Sequence, residues 1–200
     1  MRNDIVLASA SPRRIEMFRE RGIQPRVVPA DVEEHLPFDM PAETAVMYLA
    51  LTKALDVASR EHGLIVAADT VVVCDGKIIG KPADEEDAFE TLRRLRNRTH
   101  QVITGACLID SPEAAATDAG AGASAGIVRK HCLYEVTDVT FGTYTDAQLR
   151  AYVQTPEPYD KAGGYAIQET FGRYIDHIDG DLDNVIGFPM SRVLPYLQAE

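Results

Sequence analysis

The sequence predicts an α/β protein, and three observations carry that prediction. Short apolar runs rich in β-branched residues recur along the chain, among them "DIVLA", "LIVAADTVVV", "HQVITGACLI" and "CLYEVTDVTF". Segments with apolar residues at three- and four-residue steps stand between several of them. The two kinds of segment interleave within 200 residues and show no internal repeat, which fits one domain over residues 1–200.

The elements follow in order. Residues 4–9 read as a buried strand. Ser11 can cap a helix, Pro12 suits its first turn, Ile15 and Phe18 give it an apolar face, and Gly22 ends it. "QPRVVPADVEEHL" is extended. "PAETAVMYLALTKALDVASREH" is the clearest helix, with Val46, Leu49, Ala50, Ala54 and Val57 on one stripe. "GLIVAADTVVVCDGKIIGKP" reads as a strand, a turn at Asp75-Gly76 and a short second strand. "ADEEDAFETLRRL" is a helix with acids in its first turn and arginines in its last, as the macrodipole favours. "THQVITGACLID" and "HCLYEVTDVTFG" are strands, joined by an Ala/Gly-rich stretch at about 111–126 that predicts a flexible hairpin loop. "TDAQLRAYVQT" is a helix capped by Thr145. "DKAGGYAIQ" is a loop entering a strand, and "FGRYIDHIDG" is strand-like. "PMSRVLPYLQ" is a helix that Pro195 interrupts or delays.

Composition excludes several classes. The hydrophobic share is 46% and the charged share 26%, as in an ordinary globular protein. A net charge of −11 argues against a nucleic-acid polymer as partner, because backbone binding needs a basic face. No run is long and apolar enough to span a bilayer, and the first apolar run is too short for a signal peptide, so a cytoplasmic protein without membrane contact is expected. Cys74, Cys107 and Cys132 have no zinc spacing and read as small hydrophobes with reduced thiols.

Five features depart from a bland surface or core. Arg13 and Arg14 stand in the first turn of a helix, where basic residues oppose the dipole. A strand, a hydroxyl-bearing loop and a helix start form an anion site, and guanidinium groups fit phosphate oxygens; a solvated arginine pair is the alternative. Asp69 interrupts a central strand, where an unpaired carboxylate costs several kcal/mol, on the order of a lone ion's desolvation penalty. It needs a cation, a metal ion or an open strand end facing a cleft; a structural salt bridge is the alternative. Lys53 lies within an apolar helix stripe, where lysines usually snorkel outward. Lys81 is aimed by Gly80 and Pro82, although "GKIIGKP" is not a Walker A loop. Asp160 and Lys161 precede Gly163 and Gly164, which permit close backbone approach to a ligand. Cations for phosphates together with carboxylates for a divalent metal fit phosphoryl chemistry.

"LASASPRR", "LALTKA", "AADTVVV" with "GKP", "THQVITG", "DKAGGYAIQ" and "NVIGFP" resemble, in order and over nearly the whole chain, the Maf family of nucleoside triphosphate pyrophosphatases. The "DKAG" form with Gln168 looks like the branch acting on dTTP and UTP. The resemblance implies hydrolysis between the α- and β-phosphates to a nucleoside monophosphate and pyrophosphate, with Mg²⁺ or Mn²⁺. It implies an elongated, twisted mixed sheet flanked by helices, two lobes around a deep cleft, and a homodimer. By the same resemblance, Asp69 activates water and holds metal with Glu34. Ser9, Arg13, Arg14, Lys53 and Lys81 face phosphates, Lys161 is a further phosphate ligand, and Arg13, Thr70 and Gln168 are tied to base choice. The amide of Gln168 suits a pyrimidine O4/N3–H edge. Three departures from the family pattern stand out: Arg96-Asn97 where a Ser-Gly turn is usual, the long stretch at 111–126, and Glu169 where Gly is common. A nucleotidyltransferase and a non-catalytic nucleotide-binding regulator of cell division meet the same physical demands.

Overall fold

The computed structural model describes residues 2–111 and 129–198. Most of the stretch at 111–126, expected to be a flexible loop, lies outside the described residues. Strand β1 (Ile5–Leu7) is buried along its whole length. It pairs in parallel with both β2 (Arg26–Val27) and β3 (Gly63–Cys74). From β3 onward the sheet is antiparallel, through β5 (Thr99–Ser111), β6 (Arg129–Phe141) and β7 (Ile175–Asp179). The hairpin strand β4 (Lys77–Ile79) returns onto the end of β3 across Asp75 and Gly76, both with positive φ. Among the described residues this makes a seven-stranded mixed sheet of order β2-β1-β3-β5-β6-β7 with β4 beside β3.

Helices cover the sheet where their apolar stripes dictate. Helix α1 (Pro12–Glu20) turns Met17 and Phe18 inward, and α2 (Ala42–Ala58) turns in Val46, Leu49, Ala50, Ala54 and Val57. Gly105 in β5 sets how deeply α2 lies. A Cβ there would stand 2.5 Å from the Val46 carbonyl carbon, so only glycine lets the helix rest on the sheet. Helix α3 (Glu85–Leu95) is capped by Asp84, and α4 (Asp146–Val153) by a reciprocal Thr145–Gln148 capping box. These two helices enclose an aromatic cluster around Phe141, Tyr144, Tyr152 and Phe171 at one end of the sheet. A second cluster, of β1, α1 and the C-terminal helix, fills the other end. The two clusters form two lobes.

Four segments differ from the sequence reading. Only Arg26–Val27 of "QPRVVPADVEEHL" pairs as a strand, and the remainder crosses the surface without regular structure. "DKAGGYAIQ" enters no strand. Residues 157–174 form three short 3-10 turns, because Gly163 and Gly164 both take φ near +70° and bend the chain back each time. A short helix α5 (Leu182–Ile186), capped by Asp181, precedes the last helix. Helix α6 (Met190–Gln198) runs through Pro195 without interruption. Pro195 and Ser191 both lie on its exposed side, where water can take the carbonyl that proline leaves unbonded, while Val193 and Leu197 anchor the buried side. The unusual Arg96-Asn97 pair is a local turn change. Asn97 takes a φ of 54°, which asparagine tolerates better than most residues, and its Oδ1 accepts from the Thr143 hydroxyl at 2.9 Å.

Candidate active site

All ten residues singled out from the sequence line one cleft of about 670 Å³ between the two lobes. Chain direction explains the convergence. The β1–α1 loop brings Ser9, the first turn of α1 brings Arg13 and Arg14, and the centre of β3 brings Asp69 and Thr70. Helix α2 lays Lys53 across the sheet, and Glu34 comes from the irregular segment before it. Lys81 follows β4 on the opposite wall. The Gly163 amide donates to the Gly80 carbonyl at 2.9 Å, which ties the Lys161 segment to the Lys81 loop.

At the centre, one ammonium group joins two acids. Lys53 Nζ lies 2.6 Å from Asp69 Oδ1 and 2.7 Å from Glu34 Oε1. Its side chain is only 12% exposed, so it does not snorkel. The Asp69 side chain is 10% exposed and Glu34 about half exposed. Burial alone would raise the Glu34 carboxyl. The hydrogen bond and charge of Lys53, with Lys81 and Arg14 further off, outweigh it and hold the group below the ordinary glutamate value. Among the described residues no group of three or more His, Cys, Asp or Glu side chains converges as a ready-made metal cage. Glu34 and Asp69 instead present a two-carboxylate edge to open cleft.

The cations divide into two sets. Arg14, expected to hold phosphates, is committed to the protein. Its Nε donates to the Gly187 carbonyl at 2.7 Å, and the two terminal nitrogens donate to the Ala68 carbonyl at 2.9 Å and to Thr70 Oγ1 at 3.1 Å. Burial depresses its guanidinium, and the charges of Asp69 and Glu34 pull the other way. Lys161 is equally engaged. Its Nζ donates to the Glu157 carbonyl and to Asp160 Oδ1, each at 2.6 Å, and forms an ion pair with Glu169 Oε2 at 3.0 Å. Lys81 is exposed and forms no ion pair among the described residues, and Arg13 meets only Glu169, at 3.9 Å. Arg13 and Lys81 are therefore the cleft cations least neutralised by the protein. Glu169, the unusual acid, stands between Arg13 and Lys161.

Thr70 is fixed from behind. A carbonyl cannot donate, so the Thr104 hydroxyl must donate to the Asn184 carbonyl, 2.9 Å away. Thr104 Oγ1 then accepts from Thr70 at 2.9 Å, and Thr70 accepts from Arg14. The Thr70 proton is thus spent inside the protein, and the hydroxyl can only accept from a ligand. Asn184 is fully buried and holds this chain in place. Its Oδ1 accepts from the Thr104 amide at 3.1 Å, and its Nδ2 donates to the Val102 carbonyl and to Thr137 Oγ1, both at 2.9 Å. Asn184 opens "NVIGFP", a stretch whose sequence pattern alone assigns it no role. A polar residue opening an apolar run was the available signal. Gln168 stands exposed at the cleft rim.

The fold and cleft define a class: a mixed α/β protein whose cleft pairs two carboxylates with open cations. Residues 4–200 match the Maf-like protein family, and the chain belongs to it. It is 40% identical to a dTTP/UTP pyrophosphatase of Exiguobacterium sibiricum, over 98% of this chain and 91% of that protein. It is 42% identical to a dTTP/UTP pyrophosphatase of Syntrophomonas wolfei, over 94% of this chain and 92% of that one. Another of Geobacter metallireducens is 42% identical over 97% and 94%. Among solved structures, the Staphylococcus aureus Ham1 protein aligns over 68% of this chain and 71% of its own, with 16% identity and a TM-score of 0.45.

Proposed function

We propose that this protein hydrolyses nucleoside triphosphates, dTTP and UTP foremost, at the α–β phosphate bond to release a nucleoside monophosphate and pyrophosphate. The observation that carries this reading is the Glu34–Lys53–Asp69 group set opposite Arg13 and Lys81 in one cleft. The names of the relatives support the same substrates.

Arg13, Lys81 and the positive end of α1 bind the polyphosphate. Their charges lie where negative charge gathers as the anhydride breaks. Arg14 and Lys161 position the walls rather than reach the substrate. Asp69, at the cleft end of a buried stretch of β3, orients the attacking water and takes its proton. The Lys53 ammonium stands between the Asp69 and Glu34 carboxylates and compensates their charge. Glu34 and Asp69 would hold Mg²⁺ or Mn²⁺ through the carboxylate oxygens that Lys53 leaves free, hard donors of the kind these ions take. Such an ion supplies neutralisation of phosphate charge when bound. Gln168 at the rim reads the base edge, and Ser9 and Thr70 accept hydrogen bonds deeper in.

The same proposal carries a single domain over 1–200, a cytoplasmic location and a homodimer. Among the described residues no helix is long and apolar enough to cross a membrane. The test is a pyrophosphate-release screen over normal and modified nucleoside triphosphates with Mg²⁺ and Mn²⁺. Release from dTTP and UTP without any acceptor molecule is expected. A requirement for a sugar- or lipid-phosphate acceptor would make the protein a nucleotidyltransferase, and tight binding without turnover of any nucleotide would make it a regulator.

A further inference from the structure

Two of the three cysteines, far apart in sequence, meet in the fold. Cys107 in β5 and Cys132 in β6 are register partners in an antiparallel pair, and their sulfur atoms lie 2.9 Å apart. Directly opposed residues of antiparallel strands have Cα atoms about 4.5–5.5 Å apart. That falls inside the range of about 4.4–6.8 Å that a disulfide spans, so the backbone need not move. The environments of the two thiols differ. Cys107 is fully buried among Ala50, Ala54, Ile65 and Ala67 beneath α2, whereas Cys132 is exposed. The hydrogen bond between the two sulfurs outweighs burial and, with the positive charge of Lys130 adding, lowers the Cys132 thiol. The same bond and burial push the Cys107 thiol up. Of the two thiols, the exposed Cys132 is therefore the more readily deprotonated and the more reactive. Neither residue lines the cleft.

We propose that Cys132 is a peroxide-reactive thiol and Cys107 its resolving partner, and that together they form a reversible intramolecular disulfide between β5 and β6. The Cys132 thiolate attacks one oxygen of hydrogen peroxide and the O–O bond breaks. Hydroxide leaves and takes up a proton as water, and Cys132 becomes a sulfenic acid. That product no longer carries the negative charge that held the proton on Cys107. The Cys107 sulfur then attacks the Cys132 sulfur. The S–O bond breaks as the S–S bond forms, and the departing hydroxide leaves as water with the Cys107 proton. In sum, two thiols lose two electrons and two protons, and one peroxide becomes two waters. Disulfides of intracellular proteins are commonly of this transient, redox-sensing kind.

The experiment treats the full-length protein with hydrogen peroxide at neutral pH, alkylates it, and reads the intact mass and the cysteine peptides. The expected result is a mass lower by two hydrogens, a Cys107–Cys132 cross-linked peptide, full reversal by dithiothreitol, and Cys74 alkylated throughout. In Cys107→Ser, dimedone should trap a sulfenic acid at Cys132. In Cys132→Ser, Cys107 should stay reduced and pyrophosphate release should be unchanged. Circular dichroism confirms that each variant is folded, and the wild-type result stands without them. Oxygen addition without hydrogen loss, a disulfide joining two copies through Cys132, or no reaction where free cysteine is consumed would each overturn the proposal.

Discussion

Replacing Lys53 with methionine keeps the length of the side chain and removes the one charge between Glu34 and Asp69. Each of their facing oxygens lies within 2.7 Å of the same nitrogen, so without it two carboxylates confront each other across at most twice that span. At a separation of about 5 Å and an effective dielectric of about 20, two like charges repel by about 3 kcal/mol. Glu34 is about half exposed, and solvent screening reduces this to about 1–2 kcal/mol, or roughly one pH unit. The sign follows directly. Removing the cation that lowers the Glu34 carboxyl raises it, so its protonated, inactive form persists to higher pH. The acid limb of the pH profile of kcat/KM for dTTP should move up by about one unit in Lys53→Met. Lys53→Arg, which keeps the charge, should hold the limb near its wild-type place. The wild-type Glu34 carboxyl lies below its ordinary value, so its contribution to stability is present above that value and is lost as pH falls through the folded one. Lys53→Met should lack this contribution as well. An acid limb that stays in place in a folded Lys53→Met protein would refute the reasoning.

Five further outcomes are expected. His100 is buried, its Nε2 pairs with Tyr165 Oη at 2.6 Å, its Nδ1 has no partner among the described residues, and burial lowers it from 6.5 to about 4. The unfolded chain binds the proton first, so stability should fall between pH 6.5 and about 4 by up to about 3 kcal/mol, and urea titrations of His100→Gln should show less of this loss. Asn184→Leu leaves the Thr104 amide and the Val102 carbonyl unbonded in the core and should cost about 2–4 kcal/mol in thermal or urea unfolding. Gly105→Ala places a methyl group against the α2 backbone and should lower stability by about 1–3 kcal/mol, and it should lower kcat as well because Lys53 is carried off with the helix. Arg13→Ala should damage turnover far more than folding, and Gln168→Ala should erase the preference for dTTP and UTP over dCTP in steady-state comparison.

The strands and long helices were legible because their patterns are strong. The Val46-to-Val57 stripe and the β-branched run through Val73 leave little choice of structure. The segment at 157–174 was not legible, because single turns have no period and two successive glycines with positive φ carry no local mark of which way the chain bends. Pro195 misled in the other direction, since a helix near its end, with the proline facing water, tolerates the lost bond. The site residues were legible as anomalies: an acid in a strand, a lysine in an apolar stripe, two arginines at a helix start. Their partners were not. That Arg14 turns inward, that Lys161 is saturated by Asp160 and Glu169, and that Asn184 backs Thr70 all depend on contacts between residues distant in sequence. The same holds for Cys107 and Cys132, whose meeting follows only from the register of β5 on β6.

The most direct test of the central claim compares wild type with Asp69→Asn, using dTTP with Mg²⁺ or Mn²⁺. Wild type should release thymidine monophosphate and pyrophosphate in equal amounts, and Asp69→Asn should bind dTTP in calorimetry while its turnover drops by at least about a hundredfold. Asp69→Asn turnover close to wild type would contradict the account, as would a wild-type product of diphosphate and inorganic phosphate.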